Sequence, residues 1–162
     1  MSGASAVRRR NELFRQLADA PGGAAAALLD PKVLANAQGR MDELKPMVVA
    51  EMQVAIEHIR GLAEQAAAVD QIFFAAHDVR GLAGAYGFAG TGVVAGAIRA
   101  YGENRPRGFQ PDWGLIRLLA QMLSRTFERP EAASPQTLIL LCREALAKVM
   151  AREGREMPEG AL

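Results

Sequence analysis

The residues best equipped for chemistry stand together in AHDVRGLAGAYGF, from Ala76 to Phe88: one histidine, one arginine three positions on, and glycines at 81, 84 and 87. With Asp70 as an N-cap candidate and Ile72, Phe73 and Phe74 following, the segment from Asp70 to about Tyr86 is predicted to be a helix. A step of about 100° per residue puts Ile72, Val79, Ala83 and Tyr86 on one side. His77 falls on the other side, beside Phe73, Arg80, Gly81 and Gly84. Each glycine inside a helix costs about 1 kcal/mol relative to alanine, so Gly81 and Gly84 together cost about 2 kcal/mol. Close helix packing accounts for Ala83 and for Gly87 near the helix end. Gly81 and Gly84 share the histidine's side, and steric access to the imidazole accounts for them better.

The chemistry that suits this set is phosphoryl transfer. Imidazole titrates near neutral pH, so its neutral form is an available nucleophile, and a ring nitrogen can carry a phosphoryl group as a covalent intermediate. A guanidinium one turn along can pair with the phosphoryl oxygens, in a reaction that depends mostly on positioning and charge stabilisation.

The segment resembles the histidine-containing phosphotransfer (HPt) domain family, whose active helix carries His-x-x-Lys/Arg-Gly followed by small residues and a further glycine. His77, Arg80, Gly81, Ala83, Gly84 and Gly87 match that pattern, with Arg80 where lysine is commoner. The resemblance covers roughly residues 30–128. It implies an antiparallel four-helix bundle and a stoichiometric phosphoryl carrier rather than an enzyme. His77 would be phosphorylated by the aspartate of a response-regulator receiver domain and would pass the group to another receiver. Arg80 would support the phosphoryl group, and Gly81 and Gly84 would leave room for it. Phe73, Phe74 and Phe88 are the candidate partner-binding residues. Implied partners are receiver domains and a hybrid or sensor histidine kinase. No cofactor is implied, since Mg2+ enters only through the receiver. Two other readings stand beside this one. His77-Asp78-x-Arg80 also resembles the dimerisation helix of sensor histidine kinases, although Leu82 and Ala83 stand where that pattern carries a proline. A helical adaptor that never carries phosphate is the second.

The elements that must position His77 are legible in the apolar spacing. Asp30-Pro31 is a helix-start signal. From Pro46 to about Ala67, Val48, Met52, Ala55, Ile56, Ile59, Leu62 and Ala63 recur as one stripe, the first long bundle helix. His58 lies off that stripe and reads as a solvated surface histidine. After the His77 helix, Val94, Ala97, Ile98 and Tyr101 mark the next helix. Pro111-Asp112 opens another, with Leu115, Ile116, Leu119, Met122, Leu123 and Phe127 on its apolar face. Short loops join these four, which suits an antiparallel bundle. A further helix, from about Ser134-Pro135 to Arg152, carries Leu138, Leu141, Cys142, Ala145 and Val149 on one side. The expected organisation is therefore all-α: an N-terminal arm or short helix over 1–29, a four-helix bundle over 30–128, an additional C-terminal helix over 129–152 and a mobile tail over 153–162.

Composition and motifs narrow the alternatives. The chain has 162 residues, half of them hydrophobic, and a net charge of +1. That is enough apolar material for a core and too little basic excess for general nucleic-acid binding. The single cysteine, Cys142, cannot form an internal disulfide, and no apolar run approaches the roughly 18 residues of a membrane span. A cytoplasmic monomer is expected. Two histidines and a distant cysteine give no metal-ligand spacing, and no ATP-binding phosphate loop is present, so phosphate must be delivered by a partner. Gly90-Thr91-Gly92-Val93-Val94-Ala95 matches the dinucleotide fingerprint G-x-G-x-x-A. That reading is rejected because the preceding residues are helical and the fingerprint requires a strand there.

Overall fold

The computed structural model describes residues 30–158 and Gly160. Among them are no strands and five helices: α1 Pro31–Glu64, α2 Val69–Ala85, α3 Ala89–Gly102, α4 Trp113–Glu128 and α5 Pro135–Arg152. The protein is all-α over these residues. The arm expected over 1–29 lies outside the described residues.

α1 starts where Asp30-Pro31 predicts. The Asp30 carboxylate accepts from the backbone N–H of Lys32 at 2.8 Å, and the missing N–H of Pro31 is harmless in the first turn. Helical residues continue through Pro46, where the sequence suggested a helix start. Pro46 has no N–H to offer the carbonyl of Asp42, so one rung is missing. The chain divides into two units between Pro46 and Met47. In the first, the described residues are exposed apart from half-buried Met41. In the second, Val48, Met52, Ile56, Ile59 and Ala63 form the buried stripe of α1.

α1 stops at Glu64, short of Ala67, because Ala66 turns left-handed at φ 50° and the Ala67 N–H donates back to the Leu62 carbonyl at 3.1 Å. Ala68 is also left-handed, at φ 48°, and caps α2 without a side-chain hydrogen bond. Asp70 is therefore not the N-cap. It lies in the first turn, and its carboxylate accepts from the Arg105 guanidinium at 2.6 Å.

α3 is the central helix. It packs against α2, α4 and α5, and ten of its fourteen residues are buried, so it is apolar nearly all round. Glycine and alanine make that possible by letting neighbours approach its backbone. A Cβ added to Gly90 would lie 3.0 Å from Leu138 of α5, and one added to Gly92 would lie 3.7 Å from the Ala83 Cβ of α2. The glycines of the false dinucleotide match are thus packing positions in a helix.

α4 and α5 begin at side-chain caps, Asp112 accepting from Leu115 N at 3.0 Å and Ser134 from Thr137 N at 3.1 Å. α5 buries Leu138, Cys142, Leu146, Val149 and Met150 in the same core as α2, α3 and α4. Leu141, assigned to that face from sequence, is 51% exposed, and Leu146 fills the inward position instead.

The tail expected to be mobile is anchored over its first residues. The Tyr101 hydroxyl donates to Glu153 at 2.5 Å and accepts from Asp112 N at 2.7 Å. Arg155 donates to the carbonyls of Tyr101 and Glu103 at 2.6 and 2.9 Å, with its guanidinium over the Tyr101 and Phe109 rings. Burial, reinforced by the bond to Glu153, raises the Tyr101 pKa. No helix among the described residues is long and apolar enough to cross a membrane.

Candidate functional site

α2 buries Ile72, Phe73, Ala76, Val79 and Ala83 and leaves His77, Asp78, Gly81 and Gly84 exposed. Helical spacing separates these two sets except at Phe73: Ile72, Ala76, Val79 and Ala83 repeat every three or four residues, whereas Phe73 lies on the side of His77. A Cβ on Gly81 or on Gly84 would meet nothing within 4 Å. The surface beside His77 is therefore open because side chains are absent there, and not because the glycines accommodate a second helix.

Gly87 has a different reason. It sits at φ 85°, immediately after the helix, and lets the Phe88 N–H donate to the Ala83 carbonyl at 2.9 Å. Such a helix end favours glycine because the left-handed region penalises a Cβ.

Arg80 does not point freely into solvent. Its half-buried side chain crosses to α3, where a Cβ on Gly96 would lie 3.5 Å from its Cζ, Nε and Nη1. It has no hydrogen bond or ion pair among the described residues, so all its donors remain available. Gly92 and Gly96 lie one turn apart and face α2. The G-x-x-x-G spacing was the available signal for this floor, and reading the stretch only as a false nucleotide motif missed it.

The three aromatic candidates separate. Phe74 is 71% exposed and, with Val54 and Ala75, lines an apolar groove between α1 and α2 that also includes His58 and Asp78. Phe88 is half-buried, its ring 5.4 Å from Phe127. Phe73 is a correction. It is buried, set edge-on to Tyr101 with the Arg105 guanidinium 5.2 Å from its ring, and has no surface to offer a partner. Position i−4 from His77 is the side of α2 that meets α3, and Gly102 there leaves the space that Phe73 occupies.

A second groove, lined by Glu51, Ala55, His77, Asp78, Gly81 and Leu82, runs beside the first. His77 thus has an open glycine surface on its own helix, an exposed apolar groove nearby and a cation one turn away. Among the described residues no cluster of His, Cys, Asp and Glu is arranged to hold a metal ion. Compared with known proteins, the chain matches no protein-family model, no curated protein and no solved structure.

Proposed function

We propose that the chain is a histidine phosphocarrier of the HPt type, built as a four-helix bundle with additional helix, and working as a cytoplasmic intermediate between receiver domains. The observation that carries this reading is the bare surface at Gly81 and Gly84 beside an exposed His77. A receiver must bring an aspartyl phosphate to the imidazole, and a large side chain at those positions would stand in its path.

In the transfer, the lone pair of an unprotonated ring nitrogen forms a bond to phosphorus. The bond from phosphorus to the aspartate oxygen breaks and leaves its electron pair on the carboxylate. The N–H proton of the second ring nitrogen stays on the phosphorylated ring until solvent takes it. Arg80 is the cation on the same helix that can neutralise the phosphoryl oxygens. Mg2+ is supplied by the receiver, and Phe74 with Val54 forms the apolar contact for it. Onward transfer is the same exchange in reverse.

The test is incubation with a panel of phosphorylated receiver domains while transfer of label is followed. His77→Gln should abolish labelling and leave the melting temperature nearly unchanged, and His58→Gln should be silent. Retained labelling in the first variant and loss in the second would move the site to His58. Absence of acid-labile phosphate from the parent protein would favour the adaptor, for which the exposed Phe74 groove is also suited. A dimeric mass with label on His77 would favour the kinase-type dimerisation helix.

A further inference from the structure

Three contacts fix the register of α3 on α2, and a fourth, from the loop just after α3, continues it. A Cβ on Gly92 would lie 3.7 Å from Ala83, one on Gly96 3.5 Å from the Arg80 guanidinium, and one on Gly102 2.6 Å from the Phe73 ring, while Arg105 pairs with Asp70 at 2.6 Å. Each step forward on α3 is a step back on α2, so the pair is antiparallel. By that register, Arg99 stands level with Ala76 and His77. It also lies on the correct face, three residues from both Gly96 and Gly102, which both meet α2.

Arg99 is incompletely satisfied. Its Nη1 pairs with Glu103 one turn on, but its Nε is buried and has no hydrogen-bond partner among the described residues. A buried guanidinium N–H without an acceptor is costly, because the contact with water has been given up and nothing replaces it. Two other arginines at α3 are fully engaged, Arg105 by Asp70 and the Gly102 carbonyl and Arg155 by Glu153 and two carbonyls, whereas Arg80 over Gly96 is, like the Nε of Arg99, without a partner among the described residues. The side chain of Arg99 is 31% exposed, so it also reaches the surface of the seam.

We propose that Arg99 is a second phosphoryl-binding cation of the His77 site, contributed by α3. This rests on the phosphocarrier reading above. In the free protein Glu103 holds one edge of the guanidinium, and a phosphoryl group on His77 would draw the part-exposed guanidinium outward and give Nε the acceptor it lacks. Arg80, lying over Gly96, and Arg99, one turn further along α3, then address the phosphoryl oxygens from neighbouring positions of the same seam. A planar guanidinium offers several donors in a fixed fork, which suits a group with three acceptor oxygens.

The experiment uses the full chain, loaded with phosphoramidate as a small phosphodonor and then mixed with a receiver domain. Phosphohistidine lifetime and transfer rate are measured for the parent, Arg99→Gln, Arg99→Lys and Glu103→Gln, alongside melting curves. Arg99→Gln should slow transfer about tenfold or more, as loss of a charge-assisted contact does, and Arg99→Lys should recover most of it. Glu103→Gln breaks the same ion pair but keeps the cation, so its transfer should match the parent. If Glu103→Gln is as slow as Arg99→Gln, the pair is only a brace of α3 and the proposal fails. It fails equally if Arg99→Gln transfers at the parental rate from a protein labelled on His77. A parent that takes no label on His77 overturns the phosphocarrier reading itself, and the role of Arg99 with it. Should Arg99→Gln not fold, Arg99→Lys with Glu103→Gln decides: parental transfer upholds a need for charge, and loss equal to that of Arg80→Ala overturns it.

Discussion

A Cβ placed on Gly102 of α3 would stand 2.6 Å from the ring of Phe73 on α2, closer than two carbons can approach. The glycine is what admits the aromatic ring between the helices. Gly102→Ala should therefore be destabilising, although alanine is normally the better helix residue by up to about 1 kcal/mol. Overpacking of this kind costs about 1–3 kcal/mol. Urea unfolding should show a lower midpoint, and adding Phe73→Leu should restore part of it. An unchanged midpoint would mean that Phe73 moves aside freely.

Arg80→Ala should slow phosphoryl transfer about tenfold or more, because a hydrogen bond to a charged group contributes about 1.5–3 kcal/mol. Arg80→Lys should keep most of the activity. Since Arg80 has no partner among the described residues, its removal should leave the melting temperature close to that of the parent. Equal transfer by the alanine variant would make Arg80 a packing residue that covers Gly96.

Gly81 should separate stability from function. A Cβ there meets nothing within 4 Å, so Gly81→Ala should stabilise the protein by up to about 1 kcal/mol and reduce transfer only slightly. Gly81→Leu should remain as stable while transfer from a receiver collapses, since the side chain occupies the space one turn from His77. Lost stability with normal transfer would show that Gly81 serves helix packing after all.

Cys142 governs an alkaline limit. Burial pushes its thiol from 9.0 up to about 11, so the folded protein holds the proton more tightly than the unfolded chain does. Above pH 9.0 the unfolded chain ionises first. The stability is therefore complete below that pH and is lost as the pH rises towards about 11. Tyr101, also raised, acts in the same direction at higher pH. Cys142→Ala should be less stable at neutral pH but should show a flatter stability profile through this window. The native thiol should also react slowly with thiol reagents, and fast labelling of folded protein would contradict its burial.

What the sequence determined by itself is local. Asp30-Pro31, Asp112 and Ser134 start helices through bonds to groups two or three residues away, so their signals are complete within a few residues. The buried stripes of α1, α2 and α4 follow from the helical period, and the same period puts His77, Gly81 and Gly84 outside. Tertiary structure decided whatever depends on a neighbour distant in the chain. Phe73 shares a helical quadrant with His77 yet is buried, because Gly102 opens a space for it across the seam. Asp70 gives up capping to meet Arg105, thirty-five residues on, and Arg155 is held by rings and carbonyls more than forty residues upstream. Arg80 lies over Gly96 for the same reason: periodicity assigns a residue to a side of its helix, but only the packed partner determines whether that side meets solvent, a ring or a bare backbone.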